Sequence, residues 1–465
     1  MKVTFRGAAR TVTGSMHRVD TADGKTVLLD CGLYQGRRKK AAKINREMPL
    51  PVEEIDAVLL SHAHIDHSGL LPRLYKEGYR GPVYATPATA DLSGIMLRDS
   101  AHIQEADVRY VNKKNEARGL PPVEPLYEIP DAEGVSGLFI PVDCREVFTP
   151  VEGLEVEYRD AGHILGSASM TLMAREEERE VRLGFTGDVG RPDRLIIRDP
   201  QPMMDCDWLI TESTYGGQVH DPPESAKKRL EEVIGRTVER GGKVIIPAFS
   251  VGRTQEIVHT LDQLWNEGRL PMIPVYVDSP LAVNATDIYK DHPECYDQDL
   301  REYILSDADP FGFRRLTYVR NVEESKALNG RRDPMVIISA SGMCEGGRIL
   351  HHLKNNIHDE RNTVLMVGYS AEHTLGRRIS ERRSRVRIFG TEYALRAQVE
   401  VMDAYSAHAD QPELLDFLEP LHTARLKGVF LVHGSLDRQE AMRKELRRKG
   451  CDNVMVPERG QSFTL

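Results

Sequence analysis

The chain has 465 residues, more than one hydrophobic core usually encloses, so a pair of domains is expected. Hydrophobic residues at 40% and charged residues at 29%, with 37 glycines and 26 prolines, exclude a disordered or fibrous chain. A formal net charge of −9 disfavours a nucleic-acid partner except through local basic patches, because backbone phosphates reward a positive footprint. The cysteines Cys31, Cys144, Cys206, Cys295, Cys344 and Cys451 lie far apart and form no CxxC pair, so neither a disulfide framework nor a thiolate zinc site is expected. No stretch approaches membrane-spanning length, and residues 1–6 run into strand-like alternation without a charged and apolar leader, so the expected setting is a reducing cytoplasm with no membrane partner.

In chain order, short β runs at 3–5, 14–19 and 26–29 surround an Asp23-Gly24 turn that reads as a hairpin. The apolar run 57–60 predicts a buried strand that delivers Ser61 and His62 at its carboxyl end, where α/β proteins place chemistry. Helical apolar spacing covers 70–77 and 88–115, and Gly119-Leu120-Pro121-Pro122 breaks the second of these. A strand meander follows at 154–160, 168–174 and 181–186, with an exposed charged turn at 175–180. Around Trp208-Leu209-Ile210 the texture changes to alternating units. Helices are predicted at 225–240, 251–265 and 348–355, and strands at 243–246, 275–277, 335–339 and 363–367. Such alternation implies a parallel sheet in a second, inserted domain. Strands resume at 399–402 and 429–432, and a helix at 438–449 precedes a short final strand. The expected domains are therefore 1–206, 207–388 and 389–465, with the last completing the first.

In His62-Ala63-His64-Ile65-Asp66-His67, four of six residues can bind metal, and a tight loop at that spacing lets alternate side chains face two neighbouring centres. Neutral imidazoles and carboxylates suit zinc. The plain alternative, a hydrogen-bonded core cluster, would have to satisfy four buried polar groups. His163, in Gly162-His163-Ile164-Leu165-Gly166, and Asp188, in Gly187-Asp188-Val189-Gly190, follow at strand ends with glycines expected to let the backbone approach a metal closely. With Asp30 at the end of the 26–29 strand, these motifs occur in the order that resembles the metallo-β-lactamase superfamily. The resemblance implies an α/β fold, an αββα sandwich, with His62, His64 and His163 on one Zn2+, Asp66 and His67 on another, and Asp188 bridging both. Asp30 would then orient a ligand without touching metal.

Three later residues narrow the substrate: Glu212 in Ile210-Thr211-Glu212-Ser213-Thr214, His408 in Tyr405-Ser406-Ala407-His408-Ala409-Asp410, and His433 in Leu431-Val432-His433-Gly434. They resemble motifs A, B and C of the β-CASP group, a nucleic-acid-processing branch that includes the endonuclease subunit of the pre-mRNA cleavage and polyadenylation machinery. The resemblance spans essentially the whole chain and makes the insertion an α/β β-CASP domain. A histidine at motif C is similar to the RNA-processing members. The resemblance implies that His433 completes the second zinc, that single-stranded RNA is the substrate, and that a hydroxide bridging two Zn2+ cuts it as an endonuclease, with 5′–3′ exonuclease action open. Histidine can carry a proton near neutral pH and surrender it, so His408 is the expected general acid, oriented by Glu212, beside the carboxylates Asp66 and Asp188.

Glycine-rich turns ahead of a helix expose backbone donors to anions, which makes Ser341, Gly342, Met343 and Arg348 candidate phosphate contacts; the turn bearing Ser250, Arg253 and Thr254 offers a second set. Such loops also merely connect strands to helices. Basic residues gather at Arg314-Arg315, Arg331-Arg332 and between Arg377 and Arg387, as a patch or as a solvated face. With few obvious aromatic platforms in the insertion, backbone charge is expected to dominate RNA binding. The competing readings are a small-molecule metallohydrolase of the thioesterase or lactamase kind, a non-catalytic RNA-processing scaffold and, more remotely, a di-iron oxidoreductase. A homodimer is compatible with all of them.

Overall fold

The computed structural model describes residues 1–36, 38–47, 51–176, 179–220, 225–368, 370, 373–402, 406–421 and 425–465. Glu177 and Glu178, in the 175–180 turn, and Tyr405, in the His408 motif, lie outside the described residues. Two compact units emerge. The first comprises Met1–Pro192, Asp199–Val219 and His408–Leu465, and the second Asp193–Arg198 and His220–Ala407.

The alternation in the early strands decides the layering of the first unit. In Thr26–Leu29 and Ala57–Leu59, parallel partners with Leu29 opposite Leu59, Val27, Leu29, Ala57 and Leu59 enter one core while Leu28 and Val58 enter another. Strands that bury both faces need cover on both. Their seven-stranded sheet runs Ser462–Thr464, Lys2–Phe5, His17–Asp20, Thr26–Leu29, Ala57–Leu59, Val83–Ala85, Phe139–Pro141. A second sheet of seven runs Val454–Met455, Gly428–Leu431, Trp208–Thr211, Arg179–Phe185, Ala168–Glu176, Leu154–Asp160, Val147–Val151. The inner faces share a core of Phe5, Val27, Leu59, Tyr158, Met170, Phe185 and Phe430. Helices close the outer faces: Leu71, Leu97 and Val135 pack on the first sheet, and Leu414, Leu418, Met442 and Leu446 on the second. This is the expected αββα sandwich.

The second unit is a six-stranded sheet in the order Leu316–Tyr318, Val275–Val277, Val336–Ser339, Val244–Pro247, Thr363–Met366, Gln398–Val401. Every pairing in it is parallel, as the repeated βα texture predicted. A separate two-stranded hairpin, Arg385–Ile388 with Thr391–Ala394, joins the same core through Val386, Ile388 and Tyr393.

The expected boundaries at 206/207 and 388/389 are corrected by strand pairing. Trp208–Thr211 lies between Arg179–Phe185 and Gly428–Leu431, so it ends a sandwich strand series and does not begin the insertion. Gln398–Val401, expected to complete the first domain, instead pairs along Thr363–Met366 in the second unit. The units therefore divide near 219/220 and 407/408, with the short segment Asp193–Arg198 also belonging to the second. Among the described residues no helix is long and apolar enough to cross a membrane.

Candidate metal centre

Strand ends and short turns of the sandwich carry the site. The Ala57–Leu59 strand continues through Ser61 to His62, after which Ile65–Ser68 closes one helical turn, held by Ser68 Oγ donating to the Ala63 and His64 carbonyls at 2.9 and 3.0 Å. This change of backbone turns the histidines and Asp66 toward a common point. His163 arrives on a loop pinned to the start of the long helix Pro87–Glu116, because Thr86 and Thr89 both donate their hydroxyls to the Gly166 carbonyl, at 2.6 and 2.8 Å. Gly166 has φ +74°, and a Cβ there would lie 2.7 Å from the Thr89 nitrogen, so only glycine fits. At Gly190 a Cβ would lie 1.7 Å from the Gly162 oxygen. The glycines beside His163 and Asp188 thus let two backbones meet each other, which is their steric reason.

The side chains fall into three groups whose ligand atoms lie within 4.8 Å of one another: His62, His64, His163 and Asp188; Asp66, His67 and His433; and Asp188, Glu212 and His408. In the first, His64 Nδ1 is 3.0 Å from His62 Nε2 and 3.2 Å from His163 Nε2. In the second, His67 Nε2 is 3.2 Å from His433 Nε2, which is 3.5 Å from Asp66 Oδ2. Asp188 stands between them, its Oδ2 3.6 Å from His62 and His163 and 3.3 Å from His67 Nε2, while its Oδ1 is 3.5 Å from His433 Nδ1. That Oδ1 is buried without a hydrogen-bond partner among the described residues.

Burial first, then neighbouring His67, holds His62 well below the usual imidazole range, and burial lowers His64 to about 4. Both are therefore neutral and keep a lone pair for a cation. Burial alone would raise the Asp188 carboxyl, but the charges of His433, His67 and His408 hold it well below its ordinary value. Neutral His62 and His64 beside an anionic Asp188, within a cluster of imidazoles and carboxylates, fit one or more bound metal ions.

Asp30 is fully buried and accepts at both oxygens: Oδ2 meets His67 Nδ1 at 2.6 Å and the Ser15 hydroxyl at 2.9 Å, and Oδ1 takes the Ser61 N–H at 2.9 Å. It thereby aims His67 Nε2 into the cluster. Ser15 was not singled out in the sequence, nor was Thr214, whose hydroxyl is 3.1 Å from His433 Nδ1; its place two residues after Glu212 was the available signal. Glu212, also fully buried, accepts from the Val189 and Thr214 N–H groups at 2.7 and 3.3 Å and sits 3.1 and 3.2 Å from His408 Nδ1. A bridge pairs Gly190 with His408, whose Nε2 is 3.9 Å from Asp188 Oδ2. Burial opposes the imidazolium, but the Glu212 charge, followed by Asp188, outweighs it and pushes His408 up to about 9.

The remaining candidates belong to the second unit, at the carboxyl ends of its parallel strands. Ser250 shares a hydroxyl contact with Ser279 at 3.1 Å, and the Thr254 hydroxyl donates to the Phe249 carbonyl at 2.7 Å. Ser341 Oγ organises its own loop by accepting from the Glu345 and Gly346 N–H groups, whereas the N–H groups of Gly342 and Met343 make no hydrogen bond among the described residues. The two arginines are not open anion contacts. Arg253, 6% exposed, donates to Glu256 at 2.5 Å, and Arg194 reaches the same carboxylate. Arg348 donates to the buried Asp278 at 2.7 Å and to the carbonyls of Val319 and Arg320.

An αββα sandwich that gathers imidazoles and carboxylates at its strand ends is the framework of a metallo-hydrolase. The model of the metallo-beta-lactamase superfamily matches residues 12–246, that of the Beta-Casp domain residues 254–379, and that of the Zn-dependent metallo-hydrolase RNA specificity domain residues 392–457. A ribonuclease of Thermus thermophilus is 38% identical over 453 residues, covering 97% of each chain. Transcription termination factors FttA of Methanosarcina mazei and Methanocaldococcus jannaschii are each 32% identical, covering 93% and 97% of this chain and 67% and 70% of theirs. The chain belongs to the metallo-β-lactamase superfamily, in its β-CASP RNA-processing group.

Proposed function

We propose that the protein is a zinc-dependent ribonuclease that hydrolyses phosphodiester bonds of single-stranded RNA in the cytoplasm, cutting internally. The observation that carries this reading is the Glu212–His408 pair beside Asp188. A metal cradle alone could serve many small esters and lactams, and would not need a buried carboxylate to load a further imidazole with a proton. Support comes from the ribonuclease relative and from the RNA specificity model, whose span holds His408 and His433.

In this reading His62, His64 and His163 would hold one ion and Asp66, His67 and His433 a second, with Asp188, 3.6 Å from His62 and His163 and 3.3 Å from His67, available to either. Zinc bound there supplies the Lewis acidity that makes water nucleophilic near neutral pH and offsets phosphate charge. Asp30 fixes the His67 ring so that Nε2 is the donor presented. Glu212 engages His408 Nδ1, which leaves Nε2 to carry the proton that the departing ribose oxygen requires. Unengaged N–H groups at Gly342 and Met343, with the Ser250 hydroxyl, would meet RNA phosphates, and Thr254 and Ser341 would shape those turns. Arg253 and Arg348 support the turns from behind through Glu256 and Asp278.

Incubation of the zinc-loaded chain with end-labelled single-stranded RNA and matched DNA, with and without a 5′ phosphate, tests the reading. Internal cuts in RNA that a chelator abolishes and added zinc restores are expected. Hydrolysis of thioesters or lactams with RNA left intact would overturn it.

A further inference from the structure

The hairpin of the second unit carries an aromatic ring where the backbone disfavours one. Ile388 pairs with Thr391, so Phe389 and Gly390 form a two-residue turn, and both have positive φ, 51° and 81°. That is the geometry of a type I′ turn, which strongly prefers Asn-Gly, and a bulky residue at its first central position is a backbone outlier. The ring is not there to fill a core: Phe389 is 56% exposed, and the space beside Gly390 is open. Packing is handled by the opposite face of the same strands, where Val386 and Ile388 are buried.

What surrounds the ring is suited to a nucleic-acid strand. The exposed His351 ring lies 4.8 Å from Phe389, centroid to centroid, on the helix Ile349–Asn356. Arg385 and Arg387 alternate outward on the strand that leads into the turn; Arg385 is paired to Glu392 at 2.6 Å, and Arg387 makes no ion pair among the described residues. Residues 373–397 hold seven arginines against two glutamates, in a chain whose net charge is −9. An exposed aromatic held at a disfavoured backbone position, on a hairpin whose preceding strand presents Arg385 and Arg387, suits the stacking of a ligand, because every base offers a π face and every linkage a phosphate.

We propose that the Phe389 hairpin tip, with His351, Arg385 and Arg387, is a stacking platform for single-stranded RNA. It rests on the ribonuclease reading and adds to it a base-contacting surface within the second unit, where the sequence leads one to expect binding dominated by backbone charge. Two side-chain changes separate stacking from fold. Phe389→Asn installs the residue that the turn prefers, so Tm stays at or above that of the parent chain, while affinity for a fluorescent single-stranded RNA falls about tenfold. Phe389→Trp restores affinity. Arg385→Gln with Arg387→Gln lowers the slope of log affinity against log salt by about 1.4, the share of two phosphate contacts on a single strand.

The test is anisotropy titration of the full chain over a salt series, with photo-crosslinking of RNA mapped by peptide mass. RNA affinity unchanged in Phe389→Asn, in a chain that binds and cuts RNA, overturns the platform and leaves the ribonuclease reading standing. A zinc-loaded chain that crosslinks RNA at Phe389 but never cleaves it does the reverse. An unchanged RNA affinity in both variants, with a protein partner lost instead, also overturns the proposal.

Discussion

Glu212 touches His408 on one side and Asp188 approaches it on the other, so its proton is held by charge while burial works to expel it. Replacing His408 with alanine removes that proton and none of the donors grouped as His62, His64, His163 and Asp188 or as Asp66, His67 and His433. The expected outcome is a fall in kcat of about 10²- to 10⁴-fold with zinc content unchanged, read by single-turnover cleavage of labelled RNA and elemental analysis of the same preparation. An undiminished cleavage rate would take His408 out of the mechanism. Candidate ligands are legible in a sequence because metal binding constrains residue type and spacing together, as between His62 and His67. Arginines are less so. Arg348 before a helix reads the same whether its guanidinium meets a phosphate or a carboxylate, and its partner Asp278 stands 70 positions away in the chain.

Elements were easier to find than to place. Hydrophobic pattern marks 208–210 as the start of the alternating region and predicts a strand at 399–402, but says nothing about which edge accepts them; pairing of Trp208–Thr211 with Arg179–Phe185 and of Gln398–Val401 with Thr363–Met366 assigned each to the unit opposite to the one expected. The joint between two helices of the second unit was likewise invisible. Asp262, on Arg253–Asn266, is fully buried; its Oδ2 accepts the Tyr303 hydroxyl at 2.7 Å, and its Oδ1 accepts no hydrogen bond among the described residues. Burial pushes this carboxyl up to about 7, against the opposing Tyr303 hydrogen bond. A carboxyl raised in the folded state binds its proton more tightly there than in the unfolded chain, so its contribution is fully present below the ordinary carboxylate range and is lost as pH climbs toward 7. Asp262→Asn removes the titration. Its Tm relative to the parent chain should therefore rise between about pH 4 and pH 7 and level off above, in thermal melts across that range. A pH-independent difference would mean that Asp262 does not titrate there.

For the whole molecule, the separation of cores makes a thermodynamic claim. Every residue in the three potential metal groups belongs to the first unit, whose cores lie within and around the sandwich, while Ile245, Ile337, Leu353 and Val364 build an independent core in the second. A ligand stabilises only the cooperative unit whose folded form binds it, by RT ln(1 + [L]/Kd), or about 2.7 kcal/mol at a hundredfold excess over Kd. Domains with their own cores commonly unfold as separate transitions. Scanning calorimetry of the metal-free chain should then show two transitions, and zinc at that excess should move one upward by about 5 °C while leaving the other in place. The shifted transition must also be the one that Asp30→Ala weakens toward metal, since Asp30 holds His67 in the first unit. Equal displacement of both transitions would show that the two cores melt as one cooperative body, in which case loss of metal would unfold the second unit along with the first.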